Sequence, residues 1–128
     1  EEAGLNSGLT MPHYTAASLV LENQTLATPD SIRSLPTSAG QEDHNANAMT
    51  AARHAYEIID NVRQILSIEV YTALRAIWLR KNRFEGILGV GTGKIYNNLR
   101  EMVESSPGDT LWGYEIQKIY NMIVRKEF

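Results

Sequence analysis

The chain has 128 residues, no cysteine, a formal net charge of −3 and 43% hydrophobic residues, as expected for one soluble domain with its own core. The absence of cysteine excludes a disulfide scaffold, a thiolate zinc site and a cysteine nucleophile, and leads us to expect a cytoplasmic location. Charges of both signs are scattered and no run of about 20 apolar residues occurs, so we expect no nucleic-acid partner and no membrane anchor.

The first part of the chain predicts a loop, a helix and a second loop. Gly4 to Gly8 is too rich in glycine and small polar residues to lie inside a helix. Thr10 can cap a helix and Pro12 suits its first turn, so a helix is predicted that ends near residues 25–27. Residues 28–46, called the polar loop below, contain prolines and a glycine and show no periodicity, which predicts a loop between helices.

The middle of the chain predicts one very long helix, because residues 47–80 contain neither glycine nor proline. Its apolar stripe is Ala52, Tyr56, Ile59, Val62, Leu66, Val70, Ala73 and Ile77, and a second apolar flank is Ile58, Ile65, Ile68 and Trp78. Such a helix is about 50 Å long, more than a chain of this size can cover, so we expect it to pack against further copies. The alternative is a monomeric bundle in which the helix is bent or broken. His54 lies on this helix near Glu57, and we expect it to be a surface or interface residue and not a metal ligand.

The last part of the chain predicts two shorter helices. Thr92 can cap a third helix to about residue 104, and Asp109 or Thr110 can cap a fourth through Val124, with a turn at 105–108 between them. The fold class is therefore all-α: a helical bundle built on one very long central helix, in a single domain over residues 1–128.

Three local patterns give only weak support to other chemistries. Residues 89–94 place glycines before a helix, but Leu88 stands where a Walker A loop needs glycine, and Ile95 where it needs serine or threonine. Glu42 to His44 are adjacent residues, which rarely converge on one ion. Ser38 lacks the Gly-x-Ser-x-Gly elbow of hydrolases. We therefore expect no nucleotide site, no metal site and no hydrolase triad.

A family resemblance is carried by the polar loop and the segments around it. Residues 34–44 read Ser-Leu-Pro-Thr-Ser-Ala-Gly-Gln-Glu-Asp-His. With Asn6 to Gly8, Glu22 to Gln24 and Ala51 to Arg53, they resemble the C-terminal region of the aromatic amino-acid lyases and aminomutases, histidine ammonia-lyase among them. That family has an Asn-Ser-Gly loop, a helix with Ser-Glu-Asn-Lys, a Leu-Pro-Thr-Ser-Ala-Asn-Gln-Glu-Asp-His loop and a very long helix. The resemblance covers nearly the whole chain.

The chain departs from the family pattern at several positions. Gly40 stands where the family usually has Asn, and His13 where histidine lyases often have Gln. Leu21 and Gln24 flank the Glu-Asn pair in place of Ser and Lys. The Gln-Glu-Asp-His end of the loop looks like histidine lyases and some tyrosine aminomutases, whereas phenylalanine and tyrosine lyases tend to have Gln-Asp alone. The resemblance therefore favours histidine as substrate and leaves lyase or aminomutase open.

The resemblance also implies roles for four residues. Glu22 matches a catalytic glutamate that contacts the substrate's amine or imidazole, where a carboxylate can face a developing cation or relay a proton. Gln41 matches a substrate-binding glutamine near the site, often across a subunit boundary. Asp43 and His44 are expected to position the loop.

The family's electrophile, a methylidene-imidazolone group, forms from an Ala-Ser-Gly triplet that this sequence lacks; Ser38-Ala39-Gly40 has a different order. The family's tyrosine base and carboxylate-binding arginine also lie upstream of the matched region. Since residue 1 is not Met, we expect either processing or a C-terminal piece of a longer, homotetrameric lyase whose sites draw on several subunits. The alternative is a non-catalytic helical interaction module.

Overall fold

The computed structural model describes residues 6–80, 88–104 and 108–127. Its α-helices in these ranges are α1 Thr10–Leu26, α2 Ala48–Arg80, α3 Val90–Leu99, α4 Glu101–Glu104 and α5 Trp112–Arg125. Two short 3-10 turns, Asp30–Arg33 and Ser38–Gly40, lie in the polar loop between α1 and α2. The described residues form no strand beyond an isolated bridge of Thr37 with Glu42. The predicted all-α class is confirmed, and no described helix combines the length and apolarity needed to cross a membrane.

The two helices predicted most sharply from sequence are α1 and α2. The helix α1 ends at Leu26, inside the predicted range, and Pro12 occupies its first turn, where the missing N–H is not needed. The helix α2 runs for 33 residues without interruption and begins one residue after the predicted start. Its length is about 50 Å, so the expectation of one very long helix is confirmed and a break in it is not observed.

The capping predictions for the last part of the chain are wrong. The helix α3 begins at Val90, so Thr92 lies inside it and does not cap it, and the predicted helix to residue 104 divides at Arg100 into α3 and α4. The helix α5 begins at Trp112 after Leu111, with no side-chain cap. Asp109 and Thr110 therefore do not cap α5. The predicted turn at 105–108 lies, except for Gly108, outside the described residues.

The chain divides into two compact units, Ala17–Val62 and a unit made of Glu1–Ala16 with Arg63–Phe128. The second of these, called the core unit, contains the buried hydrophobic cluster Tyr71, Leu74, Tyr96, Leu99, Val103, Trp112 and Ile119. These residues come from the C-terminal half of α2 and from α3, α4 and α5. The Ala17–Val62 unit, called the loop unit, holds the polar loop and the sequence-predicted site residues.

Burial along α2 differs between the two apolar rows predicted from sequence. On the second flank, Ile68 is buried and Ile58 and Ile65 are half-buried. On the main stripe, Tyr56 is 71% exposed and Ile59 51% exposed, and Val62 and Leu66 are exposed as well. Val70 and Ile77, further along this stripe, pack against the buried cluster, so among the described residues the large exposed apolar side chains of the stripe lie in its part up to Leu66.

In the core unit, a buried arginine lies close to two aromatic rings. The guanidinium carbon of Arg75 lies 4.6 Å from the ring centroid of Trp112 and 5.9 Å from that of Trp78. Its Nη2 donates a hydrogen bond to the carbonyl of Gly108 at 3.3 Å. Stacking on electron-rich ring faces and hydrogen bonding together compensate for removing the charge from water.

Candidate functional site

Glu22, the predicted catalytic residue, lies on the C-terminal half of α1 with its side chain exposed. Its Oε2 accepts a hydrogen bond from Asn61 Nδ2 at 3.1 Å, and this is its only hydrogen bond among the described residues. No hydrogen bond or ion pair within the described part of the chain joins Glu22 to Gln41, Asp43 or His44. The hydrogen bond from Asn61 therefore fixes one carboxylate oxygen of Glu22, while the Glu22 side chain as a whole stays accessible to solvent.

Asn61, on α2, is a site residue that sequence reasoning missed. It is only 9% exposed, and besides Glu22 its Nδ2 also donates to Asn23 Oδ1 at 2.9 Å. Glu22, Asn23 and Asn61 therefore form a hydrogen-bonded group, called the carboxylate clamp below. A signal was present in the sequence: Asn61 lies three residues after Ile58 and four before Ile65, on the second apolar flank. An amide on an apolar helix face needs hydrogen-bond partners when it is buried.

Gln41, the predicted substrate-binding residue, lies at the tip of the polar loop. Its backbone N–H donates to the carbonyl of Ser38 at 3.2 Å, closing the 3-10 turn. Its side chain is exposed and makes no hydrogen bond within the described residues. The amide is therefore accessible at the loop tip, where it can donate and accept.

The loop tip is shaped by residues in the left-handed region. Ser38 has a φ of 54°, Ala39 of 56° and Gly40 of 84°. Thr37 and Glu42 close the tip through Thr37 N–H to Glu42 O at 2.9 Å and Glu42 N–H to Thr37 O at 3.3 Å. Asn and Gly are the residues that adopt positive φ most readily, which gives a physical reason why Gly40 can stand where the family usually has Asn.

Asp43 and His44, predicted to position the loop, are both exposed, and their side chains make no hydrogen bond within the described residues. The contacts that close the base of the loop come from other residues. Ser34 Oγ accepts a hydrogen bond from Asn45 N–H at 2.6 Å, and Asn47 Nδ2 donates to the carbonyl of Asp30 at 3.1 Å. The roles of Asp43 and His44 remain predictions.

A second close pair in the loop unit joins α2 to the polar loop. His54 Nδ1 lies 3.1 Å from Asp30 Oδ2, and the side chain of Asp30 is 7% exposed against 27% for His54. Asp30 opens the first 3-10 turn of the loop. His54, expected at a surface or interface, thus lies against a buried carboxylate inside the loop unit. The sequence contained no signal for this pairing.

Among the described residues, no group of three or more His, Asp or Glu side chains is arranged to hold a metal ion. The core unit has an open, largely apolar groove of about 730 Å³, with Met11, Ile68, Leu111 and Trp112 in its lining. None of the four sequence-predicted site residues lines this groove. The chemistry predicted from sequence therefore concentrates in the loop unit.

The comparisons with known proteins agree with the polar-loop motif. A sequence profile of the aromatic amino acid lyases matches residues 1–101 of this chain. The chain belongs to the aromatic amino-acid lyase family. The resemblance inferred from the loop and its flanking helices is thereby confirmed.

Individual members of this family are similar over almost the whole chain. The histidine ammonia-lyase of Geobacillus thermodenitrificans is 44% identical over 118 residues, which cover 92% of this chain and 23% of that protein. That of Legionella pneumophila strain Corby is 42% identical over 127 residues, covering 99% of this chain and 25% of that protein. The crystal structure of tyrosine aminomutase from Streptomyces globisporus superimposes with a TM-score of 0.83 at 28% identity, over 99% of this chain and 24% of that one. This chain thus spans about a quarter of the length of the relatives it matches.

Proposed function

We propose that this chain is the C-terminal part of an amino-acid ammonia-lyase that converts histidine to urocanate and ammonia. Family membership and the histidine ammonia-lyases at 38% to 44% identity support this proposal. The observation that carries it is the state of Glu22, an exposed carboxylate with one oxygen fixed by a buried amide. A fixed and accessible carboxylate is the arrangement needed to meet a substrate that gains positive charge during reaction.

Glu22 would act on the amine or imidazole of the substrate. Its carboxylate can stabilise a developing cation or accept a proton, and either action is most effective in a site closed to water. Because Glu22 is exposed in this chain, the cover that excludes water has to come from other parts of the complete enzyme. Gln41 would hydrogen-bond the substrate through its amide, and Asp43 and His44 would hold the loop that carries it.

The residues of this chain do not fit the formation of the family's electrophile. The only similar triplet, Ser38-Ala39-Gly40, has a different residue order and forms the exposed tip of the polar loop. We infer that the upstream part of the enzyme supplies the methylidene-imidazolone, which would provide the electrophile for the substrate's amino group. The contribution of this chain is accordingly to bind and orient substrate and to hold or move a proton at Glu22.

We further infer that α2 packs against other copies of the chain, in a homotetramer in the complete enzyme. The support is the row of exposed apolar residues Tyr56, Ile59, Val62 and Leu66, which recur at helical spacing on α2. Sedimentation at micromolar concentration is expected to give dimers or tetramers. Ile59→Glu should shift this equilibrium towards monomer, with Glu57→Lys as a control for a change of charge on the same helix.

The proposed activity is tested on the complete polypeptide with histidine, tyrosine and phenylalanine, measuring ammonia release and product. Histidine is expected to be turned over to urocanate, whereas a β-amino acid product would identify an aminomutase. The isolated 128-residue chain is expected to be inactive, because positioning groups without an electrophile cannot carry the reaction. If a complete polypeptide with an upstream Ala-Ser-Gly converts none of the three to any product, the alternative of a non-catalytic helical module replaces this proposal.

A further inference from the structure

In the carboxylate clamp, the two hydrogen bonds that Asn61 donates fix the orientation of its side-chain amide. Asn61 Nδ2 lies 3.1 Å from Glu22 Oε2 and 2.9 Å from Asn23 Oδ1, so both of its hydrogens are directed at acceptor oxygens. Rotating the amide by half a turn would bring its own oxygen towards a carboxylate oxygen, which is repulsive. The amide of Asn61 is therefore held in one orientation, in which it offers Glu22 a hydrogen-bond donor.

Burying the Asn61 side chain costs free energy, which a role in packing alone would not offset. It is buried on the flank of α2 that also carries Ile58 and Ile65, where an aliphatic side chain would normally be most stable. A buried amide loses its hydration, and within the described residues two hydrogen bonds, to Glu22 and Asn23, offset that loss for Asn61. Stability alone therefore does not account for an amide at this position.

We propose that Asn61 is a positioning residue for the reaction, acting through Glu22. Its N–H fixes Oε2 and so leaves the other carboxylate oxygen, Oε1, in a defined place for the substrate. Asn23, whose oxygen takes the second hydrogen, holds the amide of Asn61 in turn. This inference rests on the catalytic role proposed for Glu22.

The test uses the complete enzyme and the variants Asn61→Leu and Asn61→Asp, both close to Asn in shape. Asn61→Leu removes the donor, and Asn61→Asp replaces it with an acidic group beside the Glu22 carboxylate. In both variants kcat should fall about 10- to 100-fold, the loss found when partners that orient metal-binding side chains are removed. KM should change less than kcat if Glu22 acts mainly in the transition state. Asn61→Leu should keep or raise the melting temperature, because the residue joins an apolar flank. Asn97→Leu, at an exposed position of α3, is the matched control and should leave kcat unchanged.

A double-mutant cycle distinguishes positioning from simple structural support. If Asn61 acts through Glu22, Asn61→Leu should lower kcat much less in a Glu22→Gln background than in the parent enzyme. The inference would be overturned if Asn61→Leu lowered kcat equally in both backgrounds. It would also be overturned if neither Asn61 variant lowered kcat while Glu22→Gln did. Either result would leave the role of Glu22 intact. An unimpaired Glu22→Gln enzyme would instead overturn the catalytic role of Glu22, and the positioning role of Asn61 with it.

Discussion

The Nδ1 atom of His54 lies 3.1 Å from the Oδ2 atom of Asp30, which joins the first turns of α2 to the start of the polar loop. The Asp30 carboxylate is almost wholly buried, and its backbone carbonyl accepts a hydrogen bond from Asn47 as well. A buried carboxylate needs a basic or donating neighbour to offset its lost hydration. His54 and Asn47 thus hold the base of the loop whose tip carries Gln41.

Replacing His54 by Leu should therefore destabilise the loop unit. The variant removes the imidazole nitrogen that lies 3.1 Å from the buried Asp30 carboxylate, which should lower the free energy of unfolding by about 1 kcal/mol. Backbone amides in residues 28–46 should exchange hydrogen faster. His13→Leu, at an exposed position of α1, is the control and should change neither quantity. If His54→Leu and His13→Leu had equal free energies of unfolding and equal exchange rates, the pair of His54 and Asp30 would not stabilise the loop unit.

Glu22→Gln in the complete enzyme should lower turnover by about two orders of magnitude, a typical loss for one acid–base or electrostatic group. The melting temperature should barely change, because Glu22 is exposed and the Gln amide oxygen can still accept the hydrogen bond from Asn61. Steady-state kinetics and thermal unfolding measure the two effects. Glu57→Gln, exposed on α2, should match the parent enzyme in both. A Glu22→Gln enzyme with unchanged turnover would leave Glu22 as an ordinary solvated helix residue.

Asp109→Ala should weaken the core unit near the start of α1. The Asp109 carboxylate accepts the backbone N–H of Ser7 at 2.7 Å and that of Gly8 at 3.0 Å, just before the helix begins at Thr10. Loss of these acceptors should cost about 1 kcal/mol, as for other capping-type contacts at exposed helix starts. Chemical denaturation of Asp109→Ala measures the loss, with Asp109→Asn expected to be intermediate. Glu69→Ala, at an exposed position of α2, serves as the control. An equal loss of stability in Glu69→Ala would show that Asp109 has no specific stabilising role.

Tyr71 should make the core unit sensitive to alkaline pH. Burial is the main factor that changes the pKa of its hydroxyl, raising it above the usual 10.0; Arg75 opposes this rise and Glu115 adds to it. Above pH 10 the unfolded chain therefore loses this proton while the folded chain keeps it. The unfolded state then binds fewer protons, so the free energy of unfolding falls as pH rises.

Tyr71→Phe tests this dependence, because phenylalanine fills the same space and does not ionise. The variant should lose less stability than the parent between neutral pH and about pH 10.5, measured by denaturant unfolding at both values. Tyr114→Phe, exposed on α5, is the control and should follow the parent. If the free energy of unfolding changed equally with pH in Tyr71→Phe and in the parent, the buried hydroxyl of Tyr71 would not be the cause of the alkaline sensitivity.

Structural features that depend on residues close together along the chain were predictable from the sequence. The helix α2 follows from 33 residues without glycine or proline, since each of its backbone hydrogen bonds joins residues four apart. The family followed from the order of residues in one loop. The capping predictions failed for Asp109 because its carboxylate binds Ser7 and Gly8, 102 and 101 residues away, and not the helix that follows it.

The sequence by itself thus determined the extent of α1 and α2, the polar loop and the family, and the family resemblance named Glu22 and Gln41 as candidate residues. Only the tertiary structure decided which partners those residues have. Asn61 meets Glu22 across 39 residues, and His54 meets Asp30 from a different helical segment. A hydrogen bond requires its donor and acceptor atoms to lie within roughly 3.5 Å of each other. Helical periodicity specifies which face a residue occupies, but the distance between two faces is fixed only when the segments pack.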